Sequence, residues 1–195
     1  MRHSGGVQTA GLLLAAGAGR RMGTPKALVA DERGAWLTRA VALLRDGGCD
    51  SVTVVLGAAA DDARRLLDVV PADQHVGVVV AADWAQGMGA SLGAGLAALE
   101  ESAADAALVT LVDLPDLVPE VVRRVRAGGE GPAALARAAY DGVPGHPVLL
   151  GREHWAGVRA SAVGDQGARD YLAARPVRLV ECGDLATGHD VDAPR

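Results

Sequence analysis

Phenylalanine is absent from this 195-residue chain, and aromatic residues make up only 3% of it. Half of the residues are nevertheless hydrophobic, so the interior has to be assembled from Ala, Val and Leu rather than from rings. Two cysteines, Cys49 and Cys182, are too few for a disulfide framework, and no Cys/His spacing forms a zinc motif. No apolar run reaches the length of a membrane span. Met1–Gly6 is short and polar, with no charged-then-apolar leader behind it. The expectation is a soluble cytoplasmic protein with no membrane partner. Excess positive charge is lacking too: 19 basic residues stand against 24 acidic ones, a formal net charge of −5. That disfavours a broad nucleic-acid-binding surface, while leaving room for a local cationic pocket. No linker, repeat or low-complexity stretch divides the chain, and its length predicts one domain over residues 1–195 with an ample core.

What is present is an alternation of β-rich and helical segments. Strands are expected at Val7–Ala15, Ser51–Leu56, Val76–Ala81, Ala106–Val112, Pro132–Ala139, Pro147–Leu150 and Val177–Glu181. Helices are expected at Ala35–Arg45, Asp61–Val69, Ala90–Glu101, Val118–Arg126 and Gln166–Ala173. In the first helix Leu37, Val41 and Leu44 repeat at helical spacing, and Gly47-Gly48 stops it. Strands alternating with helices imply crossover units and a mostly parallel sheet, an α/β architecture. The apolar strands fit a sheet covered on both faces. In such sheets ligands bind beyond the carboxyl ends of the strands.

The first strand runs into a glycine-rich loop that carries Arg20, Arg21 and Lys26. Glycines let backbone N–H groups approach phosphate oxygens, and the cations offset phosphate charge. Two familiar phosphate loops fit poorly. The nucleoside-triphosphatase loop needs Ser or Thr after its lysine, and Lys26 is followed by Ala27. The dinucleotide fingerprint needs its third glycine one residue earlier than Gly23. Strand four ends in Leu-Val-Asp-Leu-Pro-Asp, residues 111–116. Asp113 there suits either a helix cap or turn or a Mg²⁺ ligand opposite the cationic loop; Asp116 reads as a turn or cap residue. Near the C-terminus Asp190 and Asp192 alternate, so an extended segment turns both the same way. They read as a second metal-ligand pair or as a solvated tail.

Leu14, Ala15, Ala16, Gly17, Gly19, Arg21, Met22, Gly23 and Lys26 stand where the sugar-phosphate and cofactor nucleotidyltransferases carry their signature, and residues 14–26 resemble it closely. Further on come Gly87-Met88-Gly89-Ala90-Ser91-Leu92, then Gly145-His146-Pro147, then Gly164-Asp165-Gln166-Gly167-Ala168-Arg169, and the late Asp190-Val191-Asp192. In this order the chain resembles the molybdenum-cofactor cytidylyltransferases, within the MobA-like NTP transferases, over residues 12–192. The resemblance implies a three-layer α/β/α Rossmann-like fold. It also implies Mg²⁺-dependent transfer of a nucleoside monophosphate, most naturally from CTP to molybdenum-carrying molybdopterin, with a recipient molybdoenzyme or maturation factor downstream.

By the same resemblance Arg20, Arg21, Lys26 and Asp113 serve catalysis. Leu14, Ala15, Ala16, Gly17, Gly19, Gly23, Gly87, Met88, Ser91 and Leu92 bind the nucleotide. His146, Asp165 and Arg169 bind the acceptor, and Asp113, Asp190 and Asp192 hold metal. Local chemistry leaves other roles open: a helix start for Gly87–Ser91, a structural histidine at a strand entrance for His146, and a cap and a surface charge for Asp165 and Arg169. Val112 departs from the pattern, which has glycine before the aspartate. GTP in place of CTP, another phosphorylated acceptor, a non-catalytic nucleotide-binding role and a dinucleotide-dependent oxidoreductase are the rival readings.

Overall fold

The computed structural model describes residues 7–71 and 75–191; of the expected site residues, Asp192 lies outside them. Seven strands form one sheet: β1 (Thr9–Ala15), β4 (Ser51–Leu56), β5 (Val76–Val80), β6 (Ala106–Leu111), β7 (Leu135–Tyr140), β8 (Val143–Gly151) and β9 (Arg178–Glu181). Their spatial order is β5-β4-β1-β6-β8-β7-β9. Neighbours pair in parallel except on either side of β8, which runs against both β6 and β7. A small hairpin, β2 (Ala30–Asp31) with β3 (Gly34–Ala35), stands apart from the sheet.

Helices cover both faces, and the pleat shows why. Along β1, Leu13 and Ala15 enter one core cluster with Leu37, Val41 and Leu44 of α1 (Trp36–Asp46), Ala63 and Leu67 of α2 (Ala60–Leu67), and Val121 and Val125 of α4 (Pro119–Arg126). The alternate residues Ala10, Leu12 and Leu14 enter the other, with Leu92 and Leu96 of α3 (Met88–Glu100), Trp155 of α5 (Arg152–Ser161) and Leu172 of α6 (Arg169–Ala173). Side chains alternating across a strand therefore feed two separate cores. This is the expected three-layer α/β/α arrangement. Tryptophan supplies a large buried ring where phenylalanine is missing: Trp155 is 1% exposed, and its indole N–H donates to the Leu150 carbonyl at 2.9 Å.

Beyond the unexpected β2–β3 hairpin and a last helix that starts at Arg169 rather than Gln166, two features depart from the sequence reading. The helix α5 was not anticipated, because it begins at Arg152 directly after β8 with no intervening turn. β8 starts at Val143 rather than Pro147, so Pro144, Gly145 and His146 lie inside the strand rather than at or before its entrance. The turn itself is Asp141-Gly142, with φ of 51° and 78°, the left-handed pair that a tight hairpin demands.

β1 lies between β4 and β6, so successive connections leave it in opposite directions. A crevice opens at such a point, at the carboxyl ends of the strands.

Candidate functional site

Beyond Ala15 the chain makes an open loop and returns as one turn of 3-10 helix at Lys26–Leu28. Two backbone bonds close the loop: the Met22 N–H donates to the Gly19 carbonyl at 2.9 Å, and the Lys26 N–H to the Gly17 carbonyl at 3.2 Å. Gly19 is required here. Its φ is +57°, and a Cβ would sit 1.9 Å from the Thr24 carbonyl oxygen. The tight return brings Lys26 back to the mouth of β1, where its ammonium donates to the Asp113 carboxylate from the end of β6. The pair is largely enclosed, with side-chain exposures of 19% for Lys26 and 8% for Asp113.

A cleft of about 360 Å³ opens beside this pair. One wall is the loop, through Gly17, Arg20 and Lys26; the opposite wall is the start of α3, through Gly87, Met88 and Ser91. No side chain caps the N-terminus of α3, so its first N–H groups and the positive end of its dipole border the cleft. Gly87 (φ +117°) makes the wall continuous, because a Cβ there would meet the Gly164 backbone at 2.5 Å and the Asp165 carboxylate at 2.6 Å. Asp165 thereby reaches the cleft from the turn before α6.

The expected nucleotide-binding residues divide. Leu14, Ala16, Gly17, Gly87, Met88 and Ser91 line the cleft. Ala15 turns into the α1-side core, and Gly23 is exposed on the loop. Leu92 faces a neighbouring cavity instead. Of the two loop arginines, Arg20 is on the cleft wall, whereas Arg21 is exposed and is not among the lining residues. Val112 is buried in the α1-side core while bordering the cleft.

That neighbouring cavity, about 130 Å³, shares Leu14, Met88 and Asp165 with the cleft. It gathers His146 and Arg169 and adds Arg137 of β7. The Arg137 guanidinium donates from Nε and from one terminal nitrogen to the Gly145 carbonyl, at 3.2 and 3.1 Å. A register shift between Arg137 and Ala139 marks a bulge beside it, a common device for re-aiming a strand side chain. The His146 ring retains some surface on the cavity, yet surrounding protein strips most of its water. Burial, followed by the nearby Arg137 charge, pushes its pKa down to about 4, so the ring is neutral near pH 7.

On the far side of Asp113 the segment Leu114–Asp116 is held from two directions. The Arg33 and Arg39 guanidinia donate to the Pro115 carbonyl at 3.1 and 2.8 Å. The Asp116 carboxylate accepts from the Thr187 N–H at 2.7 Å and from its hydroxyl at 2.6 Å. Asp116 is thus a tether for the C-terminal segment rather than a cap. The tether is completed where the Val191 N–H donates to the Asp113 carbonyl at 3.0 Å, which brings the exposed Asp190 next to that contact.

Among the described residues no group of three or more His, Cys, Asp or Glu side chains assembles. Asp113 is an enclosed carboxylate on the cleft, a donor that suits a divalent cation, although Lys26 now answers its charge and such an ion would share or displace that ammonium. Such ions commonly take one or two carboxylates and fill the remaining positions with phosphate oxygens and water.

Among the lining residues that sequence reasoning passed over, two stand out. Trp84 borders the cleft and packs against Gly57, where a Cβ would lie 2.6 Å from the tryptophan side chain; it stands just ahead of the Gly87 motif. Arg137 was detectable as the lone charge in the apolar stretch Ala133–Tyr140.

Residues 11–180 match the MobA-like NTP transferase domain. Nicotine blue oxidoreductase of Paenarthrobacter nicotinovorans is 36% identical over 192 residues, spanning 93% of this chain and 91% of that protein. The crystal structure of Rv0371c from Mycobacterium tuberculosis superposes with a TM-score of 0.77 at 29% identity, covering 97% of this chain and 95% of that one. A complex of Rv0371c with manganese superposes with a TM-score of 0.71 at 28% identity, covering 95% and 94%. With the parallel sheet, the glycine-rich loop and the Lys26–Asp113 pair at its mouth, these matches establish that the chain belongs to the MobA-like NTP transferase family of nucleotidyltransferases.

Proposed function

We propose that this protein transfers a nucleoside monophosphate from CTP to the phosphate of a molybdopterin-type acceptor and releases pyrophosphate. The observation that carries the reading is the meeting of Lys26 and Asp113 between the glycine-rich loop and the carboxyl end of β6. An acceptor phosphate oxygen attacks the α-phosphorus of the triphosphate; the bond from that phosphorus to the bridging oxygen breaks, and the electron pair leaves with pyrophosphate. The attacking oxygen is already ionised at neutral pH, so positioning and charge stabilisation suffice.

Arg20 and Lys26 bind and neutralise the triphosphate tail, and Arg21 serves the same charge from the rim. The Gly17 backbone and the Gly87–Ser91 segment, which forms the first turn of α3, seat the base and ribose. Asp113, with Asp190 or Asp192 as a second carboxylate, would hold Mg²⁺, which when bound supplies charge neutralisation to the phosphates. The manganese complex of Rv0371c supports a divalent cation in this fold. The test is pyrophosphate release from each nucleoside triphosphate with a molybdopterin acceptor. Lys26→Ala and Asp113→Ala should each reduce turnover by roughly 10²–10³, the usual cost of a preorganised charge contact. Near-normal turnover in Asp113→Ala overturns the assignment. GTP outperforming CTP makes the enzyme a guanylyltransferase.

A second reading is favoured by the 36% identity to an oxidoreductase. In it the same cleft binds a nicotinamide dinucleotide, and hydride transfer replaces phosphoryl chemistry. Loss of NADH or NADPH absorbance with an electron-accepting dye, without pyrophosphate release, would replace the first reading by the second.

A further inference from the structure

We propose that the cavity behind the cleft is a subsite for a phosphate monoester on the acceptor, held by Arg137 and Arg169 and faced by His146. The acceptor role of the cavity rests on the transferase reading above; the anion chemistry rests on the cavity itself.

Arg137 and Arg169 both line it. Among the described residues neither guanidinium has a carboxylate within ion-pair distance, in contrast to Arg39, Arg124 and Arg159, which each have one. Arg137 is half-buried, and its two donations to the Gly145 carbonyl leave guanidinium N–H groups over, since the fork carries five. Burial and the neighbouring Arg169 charge both work against its protonated form. Two like charges therefore line one cavity, Arg137 half-buried and Arg169 exposed at its rim, an arrangement that an anion relieves. A planar guanidinium pair matches a tetrahedral dianion, which it can bind bidentately.

Asp165 stands on the wall shared with the cleft, at the threshold rather than in a pair with either arginine. Because the His146 ring stays neutral near pH 7, it offers a hydrogen bond without adding a third charge. The shared wall of Leu14 and Met88 places a group bound in the cavity next to a nucleotide bound in the cleft.

The experiment is a titration of the full chain with inorganic phosphate and then glycerol phosphate, followed through arginine Nε–H resonances. Arg137→Lys and Arg169→Lys assign the two signals. Both signals should move, acetate at equal ionic strength should not move them, and Arg169→Gln, an exposed position that leaves packing intact, should weaken the binding about tenfold or more. Unmoved signals, an equal response to acetate, or an unchanged affinity in Arg169→Gln overturns the subsite. CTP with Mg²⁺ is titrated separately and read on the backbone amides of residues 17–26. Silence there with a responding arginine pair removes the transferase reading and leaves the anion subsite standing.

Discussion

Acid should destabilise this protein through one ring, and the size of the effect follows from where His146 sits. An unfolded chain binds a proton at that imidazole as pH falls through 6.5, whereas the folded chain resists until about 4. Stability linked to His146 is therefore fully present above pH 6.5, declines as pH falls from there to about 4, and is level below it. Each pH unit between the two values carries about 1.4 kcal/mol, so the full loss is about 3 kcal/mol and some 2 kcal/mol of it is reached by about pH 5. Urea unfolding at about pH 7.5 and about pH 5, for wild type and for His146→Gln, isolates the term, because every other titrating group cancels in the comparison. Wild type should lose about 2 kcal/mol more than the variant between the two conditions. Equal losses would refute the claim that burial and the Arg137 charge hold the ring neutral.

Two further outcomes are expected. Gly87→Ala places a Cβ against the Gly164 backbone at 2.5 Å in a residue with φ of +117°; it should lower stability by roughly 1–3 kcal/mol and weaken nucleotide binding, and unchanged nucleotide affinity in calorimetry would separate the turn before α6 from the cleft. Lys26→Met leaves the Asp113 carboxylate enclosed without the ammonium that answers it, so Mn²⁺ alone, without nucleotide, should raise the melting temperature of the variant more than that of wild type. Equal shifts would detach the cation from Asp113.

Much of the fold was legible because the sequence is locally consistent. Ser51–Leu56 is a strand within the same limits that its β-branched run predicts, and the apolar spacing of Leu37, Val41 and Leu44 places α1 against the sheet as expected. The misreadings cluster where proline and glycine were taken as punctuation. Pro144 and Gly145 lie inside β8, whose start was expected only at Pro147. Proline is tolerated where its missing N–H interrupts little pairing, and the β7–β8 ladder is already broken by the register shift near Arg137. For α5 the opposite held, since Gly151, the last residue of β8 and the N-cap of α5, marks a boundary that the sequence reading did not use.

The site was legible in its parts and not in its assembly. Glycines and cations in one loop announce a phosphate-sized binding surface, and an aspartate at a strand end announces a carboxylate at the same edge of the sheet. That Lys26 and Asp113 touch could not be read, because 87 residues separate them and the contact depends on β1 and β6 lying side by side in the sheet. Arg137 was hidden by the same logic. Its bonds depend on β8 folding back antiparallel to β7, so that Val148 pairs opposite it and, across the register shift, the Gly145 carbonyl comes within reach of its guanidinium. A lone charge in an apolar strand should therefore be read as a question about its neighbouring strand. Burying a guanidinium without a carboxylate costs free energy, and a fold that keeps one beside a cavity leaves a place where an anion of fitting shape binds well.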